Sequence, residues 1–400
     1  MAASLPPDFI RMMQEQYGSE TASALFHALQ ETEPEVSVRI NPRKRPQTAD
    51  NNSFLQETEL TLTPVPWCRE GFYLSGRPPF TMDPLLHAGA YYVQEASSMY
   101  LAEILRRYAA LETSLQALDL CAAPGGKSTL LAGMLPEGSK LLCNEPMPKR
   151  AQVLSENVQK WTRMRAGHYP VRCIVTQQMP ADFARFTDCF DLIVTDVPCS
   201  GEGMFRKDEE AVRGWSPEAV MRCSALQREI VEAVWPCLRE GALLVYSTCT
   251  FNRFEDEDNV RRICDTLGGT LLEERHFLPG RDRGEGFYIA AIRKQGEAMP
   301  QEIREHRPLP SMRMMRMLYD SDEAPLCEEN CVALTYDDAL HYLRGEALRV
   351  EAPRGPVTLT YAGLPLGEGK SVGSRINNLY PAPWRIRTTH LSRFSLTLPR

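Results

Sequence analysis

The strongest constraint on this chain is an alternation that runs through its middle. Between residues 81 and 295, apolar strand-like runs at 117–120, 140–144, 172–176, 192–196, 242–247 and 286–292 are interspersed with helical stretches at 127–134, 149–161, 217–238 and 255–267. Strand then helix, repeated, predicts a mostly parallel sheet, because a parallel return needs a crossover long enough to hold a helix. Helices then cover both faces, and ligands bind outside the carboxyl ends of the strands. The residues that follow each strand are therefore the candidates for chemistry.

The flanks differ. Residues 1–80 read as a small α+β unit: a helix over 5–30 with apolar positions at Phe9, Met12, Met13, Leu25, Phe26 and Leu29, a strand over 36–40, a polar loop over 46–60 and a strand from Trp67 to Leu74. Residues 296–315 are polar and contain proline, as a linker does. The methionine-rich stretch 313–318 reads as core packing. Residues 316–400 form a last unit with a strand at 357–361, and no internal repeat is visible.

Hydrophobic residues make up 43% of the 400, which excludes wholesale disorder. No apolar run approaches the ~18 residues of a membrane span. The first residues carry neither the basic flank nor the apolar stretch of a secretory signal. A soluble, cytoplasmic protein with no membrane partner is expected. The 12 cysteines are scattered, and Cys121, Cys143 and Cys173 lie in apolar segments, so they read as reduced thiols. Cys327 and Cys331 lack a matching second pair and His341 reads as a surface residue, so no zinc site is expected there. Net charge is −7, yet the final fifty residues hold seven Lys/Arg against two Asp/Glu, a net of +5 that leaves −12 on the rest. This asymmetry fits a local RNA-binding surface or a solvated positive face, and composition alone does not decide between them.

Four strand ends carry residues of interest. The first leads into Asp119-Leu-Cys-Ala-Ala-Pro-Gly-Gly-Lys-Ser128, whose small residues let the backbone approach a ligand and whose following helix N-terminus favours negative groups. It is not a phosphate-binding P-loop, because Cys121 stands where the first glycine is required, and Gly125-Gly126 does not supply a dinucleotide fingerprint. The second strand ends in Cys143-Asn-Glu145, where α/β nucleotide folds place a carboxylate on a ribose diol. The fourth ends in Asp196-Val-Pro-Cys-Ser-Gly201 and the fifth in Ser247-Thr-Cys-Thr250. One such cysteine is ordinarily a small buried hydrophobe; two, both just past strand ends of one sheet, fit that reading less well.

Together, Cys121–Lys127, Pro198-Cys-Ser-Gly201 and Thr248-Cys249 resemble the ordered motifs of the Nol–Nop–Sun family of RNA cytosine-5 methyltransferases, over about residues 36 to 292. Asp256, Glu257 and Asp258, the ending Gly284-Glu-Gly-Phe-Tyr288 and the segment Tyr91–Ser98 are similar to the family as well. Within it, residues 200–207 and 363–385, with Asn377-Asn-Leu-Tyr380, most resemble the ribosomal small-subunit methyltransferase F branch. The resemblance implies a Rossmann-like S-adenosylmethionine methyltransferase sheet at 81–295, a small N-terminal α+β domain that assists RNA binding, and a PUA-like RNA-binding domain at 316–400. It implies Cys249 as the nucleophile on carbon 6 of cytosine, Cys199 in product release, and Asp196 hydrogen-bonded to the base. It implies S-adenosylmethionine contacts from Cys121, Ala122, Ala123, Pro124, Gly125, Gly126, Lys127, Glu145, Arg150 and Asp196, and no metal. The implied partner of a monomeric enzyme is small-subunit ribosomal RNA or the small subunit itself; transfer RNA, or a binding protein without catalysis, are the alternatives. DNA is not expected: Glu156-Asn-Val158 precedes Pro198-Cys199, the reverse of the DNA enzymes' order. The family's Asp near the adenine has no counterpart; Gln178 or Met179 stands there with Asp182 slightly later, and the adenine contact is unassigned.

Overall fold

The computed structural model describes residues 4–44, 60–164, 167–296, 315–323, 330–388, 393–396 and 398. Its central sheet has eight strands: β5 (Gln116–Asp119), β6 (Lys140–Asn144), β7 (Arg172–Thr176), β8 (Phe190–Asp196), β9 (Leu238–Thr248), β10 (Gly269–Phe277), β11 (Phe287–Lys294) and β12 (Met317–Asp320). Their spatial order is β10-β11-β9-β8-β5-β6-β7-β12. The chain works outward from β5, first to β6 and β7, then back across to β8 and β9, and all four of these contacts are parallel. The order reverses at β5, which opens a crevice at the carboxyl edge between β5 and β8.

Two-residue periodicity sorts each strand. Ala117, Leu141, Cys143, Cys173 and Val175 point to one face, where Leu130, Leu154, Val158 and Trp161 cover them. Leu118, Leu142, Ile174 and Ile193 point to the other, under Ile230, Val231, Val260 and Ile263. Both faces are dry, and each large aliphatic side chain so buried contributes roughly 1.5–3 kcal/mol. The covering helices start at sequence signals. Those of α4 (Gly126–Met134) follow Gly125 at φ +114°, α5 (Pro148–Thr162) has proline in its first turn, and α7 (Pro217–Val234) is capped by Ser216, whose Oγ accepts the Ala219 amide at 3.1 Å. The last, α8 (Glu257–Leu267), stops at Gly268 with φ +75°. Earlier helices are α1 (Pro7–Glu31), α2 (Pro84–His87) and α3 (Leu101–Tyr108), and α6 (Glu209–Gly214) precedes α7.

The three strands at the sheet's ends run antiparallel. The expected strand at 286–292 is β11, paired to β9 on one side and β10 on the other. Neither β10 nor β12 was legible: β10 carries Glu273, Glu274 and Arg275 on an edge, and β12 has four residues. Of the methionine-rich stretch, residues 313 and 314 lie outside the described residues; Met315 is buried, and Met317 is 38% exposed on the β12 edge, where no core reaches it.

A second sheet, in the order β2-β3-β1-β4, is built from β1 (Val36–Ile40), β2 (Leu62–Val65), β3 (Cys68–Leu74) and β4 (Tyr91–Val93). β4 lies past residue 80, where the sequence reading ended its first unit. The 25-residue α1 bends at Gly18, φ +77°, and packs Phe9, Met13 and Leu25 against Phe205, Trp215 and Phe251 from the segments that follow β8 and β9. The third sheet is β13 (Cys331–Ala333), β14 (Gly355–Tyr361), β15 (Leu364–Ser371) and β16 (Ile376–Asn378), with helix α9 (Tyr336–Leu343) beside it. Its core is continuous with the N-terminal one: Val38, Phe80 and Leu85 share a cluster with Leu340, Leu359 and Ile376. Cys327 and residues 46–59 of the expected loop lie outside the described residues; Cys331 is exposed, and His341 faces Glu346 at 2.6 Å. No helix among the described residues is long and apolar enough to cross a membrane.

Candidate active site

β8 and β9 are adjacent and parallel, with Asp196 in register with Ser247. Three residues beyond Asp196 and two beyond Ser247 the chains bring Cys199 and Cys249 together, Sγ to Sγ at 3.2 Å. Both are free thiols and partly accessible. The hydrogen bond it makes to the Cys249 sulfur, then burial and the nearby charge of Glu255, push the Cys199 thiol well above its ordinary range. Cys199 is thus held as a thiol that can donate to the Cys249 sulfur.

Asp196 is held from two sides. Ser247 Oγ donates to its Oδ1 at 2.8 Å, and Lys127 Nζ lies 2.9 Å from Oδ2. The Lys127 ammonium also sits over the Phe287 ring, 4.8 Å from its centroid. Lys127 therefore ties the loop after β5 to the end of β8.

The loop from Cys121 to Gly126 hangs between these strands. The Ala122 amide donates to Asn144 O at 2.8 Å, and Asn157 Nδ2 donates to Pro124 O at 2.8 Å. Arg150 Nη2 donates to Ala123 O at 2.9 Å and lies 3.5 Å from Glu145 Oε2, so it braces the loop against that carboxylate. Glu145 is 1% exposed, and its Oε1 accepts the Met147 amide at 3.0 Å. Burial raises Asp119 to about 7; Ser128 Oγ donates to its Oδ2 at 2.6 Å, while its buried Oδ1 has no protein partner. Burial likewise pushes the Cys121 thiol up to about 12, which keeps this third cysteine inert. A cavity of about 200 Å³ separates the loop from residues 92–98. Its far wall, Tyr92, Gln94, Glu95 and Ser98, was not singled out residue by residue from the sequence.

The structure thus gathers Cys121–Lys127, Glu145, Arg150, Asp196, Cys199 and Cys249 on one edge. It adds residues that sequence reasoning missed: Glu202, Gln227, Asn252 and Glu255, all buried beneath the two cysteines. The available signal was a glutamate inside an otherwise small-residue motif, Cys199-Ser-Gly-Glu202, where a charge has no bland use. Asp256, Glu257 and His276 bring ligand-type atoms within 4.8 Å of one another, but Asp256 already accepts Thr248 Oγ1 at 2.5 Å and Glu257 faces His276 at 2.9 Å.

Residues 109–293 match the family model of the 16S rRNA methyltransferase RsmB/F, residues 5–96 that of the N-terminal domain of 16S rRNA methyltransferase RsmF, and residues 329–386 that of the methyltransferase RsmF PUA domain. The chain is 30% identical to the ribosomal RNA small subunit methyltransferase F of Salmonella paratyphi A over 415 residues, covering 94% of this chain and 82% of that one. The protein of the same description from Salmonella heidelberg is 29% identical with the same coverage. Among solved structures, NSun6 from Pyrococcus horikoshii with SFG superposes with a TM-score of 0.59 at 19% identity, over 73% of this chain and 99% of that one. A methyltransferase homologue from the same organism gives 0.56 at 24%, over 72% and 100%. These two share the fold, a Rossmann-like methyltransferase sheet. The motifs, the three matched segments and the near full-length identity agree: the chain belongs to the ribosomal RNA small subunit methyltransferase F family.

Proposed function

We propose that this protein methylates carbon 5 of a cytosine in small-subunit ribosomal RNA, with Cys249 as nucleophile, Cys199 in release and S-adenosylmethionine as methyl donor. The observation that carries the reading is the 3.2 Å contact between two thiols at the ends of β8 and β9, beside a glycine-rich loop and a buried carboxylate. The loop residues fit the donor. Gly125 and Gly126 let backbone amides at the start of α4 face a carboxylate, the unpartnered Asp119 Oδ1 is a buried acceptor beside that loop, and Glu145 suits a ribose diol. When bound, S-adenosylmethionine supplies an electrophilic methyl on its sulfonium.

The chain's own residues supply the rest. Carbon 5 of cytosine is a weak nucleophile, and addition of the Cys249 thiolate to carbon 6 makes it enamine-like. Asp196, fixed by Ser247 and Lys127, faces the base near N3, where it accepts from the exocyclic amine and from N3 once that nitrogen takes a proton as charge develops. Once Cys249 is held in a carbon–sulfur bond, Cys199 is the thiol left beside it. Cys199 then assists loss of the carbon 5 proton, and elimination returns Cys249. The base must leave its stack to reach the two sulfurs, and the basic final fifty residues supply RNA affinity.

Bisulfite sequencing of ribosomal and transfer RNA from a deletion strain tests the proposal. Loss of one or more 5-methylcytosines in small-subunit RNA, restored by the wild-type chain, supports it. A loss confined to transfer RNA assigns the other substrate, and no loss in either overturns the reading.

A further inference from the structure

Beneath the two cysteines lies a hydrogen-bond network that no step above uses. Glu202 follows Cys199 by three residues and is fully buried. Its Oε2 accepts the Phe251 amide at 2.6 Å and the Asn252 amide at 3.1 Å. Its Oε1 accepts Asn252 Nδ2 and Trp215 Nε1, both at 2.9 Å. Next to it, the Gly203 amide donates to the carbonyl of Cys249 itself at 2.7 Å. A side chain at Gly203 would place its Cβ 2.8 Å from that same carbonyl oxygen, closer than real Cβ atoms come. From the other side, Glu255 Oε2 accepts the Ser200 amide at 3.0 Å and Gln227 Nε2 at 2.7 Å, and Gln227 Nε2 also donates to Pro198 O at 2.9 Å. Asn252 Nδ2 joins the two carboxylates by donating to Glu255 Oε1 at 2.8 Å.

We infer that Glu202 is a positioning residue: from the Cys199 loop it grips the backbone just after Cys249, and so sets the separation of the two sulfurs. The partners are revealing. Three of its bonds go to residues 251 and 252, just after Cys249, and the fourth to the Trp215 indole; among the described residues no lysine or arginine shares them, so the carboxylate is not half of an ion pair retained for charge. A buried carboxylate is costly unless fully hydrogen-bonded, and here the bonds are spent on two amides that a loop could otherwise leave to water. Glutamine in its place keeps one acceptor but turns an N–H₂ toward groups that only donate, so the Cys249 segment must move. Displacements near 1 Å cost on the order of a hundredfold in a reaction that depends on placement. The inference rests on the proposed function only for its catalytic consequence; the sulfur-to-sulfur geometry stands without it.

Diamide tests the geometry directly, since it takes the two hydrogens of a thiol pair and leaves a disulfide. In the wild-type full-length protein the peptides bearing Cys199 and Cys249 should be joined rapidly, as read by mass spectrometry after blocking the remaining thiols. In Glu202→Gln the joining rate should fall by about tenfold or more, with far-ultraviolet circular dichroism and S-adenosylmethionine binding by calorimetry unchanged. Gly203→Ala, which pushes the Cys249 carbonyl while leaving Glu202 in place, should slow it likewise, and Glu202→Asp, which keeps the carboxylate but shortens its reach to the two amides, decides the matter if Glu202→Gln does not fold. In RNA assays these variants should lower kcat with KM for RNA unchanged. Joining at the wild-type rate in the folded variants overturns the inference. Slowed joining in variants of a wild-type protein that methylates no RNA would instead retain the inference and remove the proposed function.

Discussion

Cys199 and Cys249 touch, yet the roles proposed for them differ, and substitution tells them apart. Cys249→Ala should abolish methylation and leave no covalent RNA complex. Cys199→Ala should still attack and transfer the methyl, then stall as a protein–RNA adduct that survives denaturing electrophoresis, and the double mutant should show none. Two inert core thiols would instead cost roughly 1–2 kcal/mol each in stability with no adduct in either. Glu202 offers a second test, through pH. Burial raises it to about 7, so between the unfolded value near 4.5 and 7 the folded chain holds a proton that the unfolded chain has released. Stability must then fall as pH rises through that window. Unfolding free energies at pH 5 and pH 8 should show a wild-type loss on the order of 1–3 kcal/mol, and Glu202→Gln should lack that part of the slope. Both cysteines were legible in the sequence because each follows a strand inside a compact motif. Glu202 was not, because its meaning lies in amides about fifty residues away.

At the scale of elements, the N-terminal sheet braces the loop proposed to face the methyl donor. Arg39 of β1 is 2% exposed. Its Nε donates to Gln94 Oε1 at 2.8 Å, and its Nη2 to Gly126 O at 3.0 Å and Thr129 Oγ1 at 2.6 Å, while its guanidinium stands 4.5 Å from the Trp161 ring centre. One side chain therefore fixes the first turn of α4 and one wall of the cavity opposite it. Arg39→Met removes every one of these donors and strands buried acceptors, which should destabilise the fold by about 2–4 kcal/mol. It should also weaken S-adenosylmethionine binding measured by calorimetry, although Arg39 lines no part of the cavity. Unchanged binding in the folded variant would separate the two sheets functionally. The sequence reading placed the strand at 36–40 and the loop at 121–127, but nothing in either segment announces the other.

At the scale of the molecule, the C-terminal unit is a structural partner of the N-terminal one. Asp83 is buried and accepts Tyr91 Oη at 2.7 Å, the Leu396 amide at 2.9 Å, the Leu85 amide at 3.0 Å and Ser395 Oγ at 3.1 Å. Removal of residues 324–400 takes away two of those donors and uncovers Phe80, Met82 and Leu85. Calorimetric unfolding should show a loss of several kcal/mol, so a truncation cannot by itself report on RNA affinity. Arg354, Arg375 and Arg387 are exposed and can report on it. Their joint replacement by glutamine should weaken RNA binding and flatten its salt dependence, with cofactor binding and stability unchanged. Equal affinity would leave that face merely solvated.

What the sequence determined by itself was local: two-residue and helical periodicity, caps at Ser216 and Gly268, and contiguous motifs at the ends of β5, β8 and β9. These depend on neighbours along the chain, so the central parallel strands and both cysteines could be read without coordinates. The tertiary structure alone decided the rest. It joined β10 and β12 to the sheet edges, where short or charged strands carry little apolar signal. It fused the first and last units through Asp83, 312 residues from Ser395. It set two sulfurs fifty residues apart at 3.2 Å, because a contact of that kind is made by the packing of whole strands, and no segment that shares in it encodes the distance.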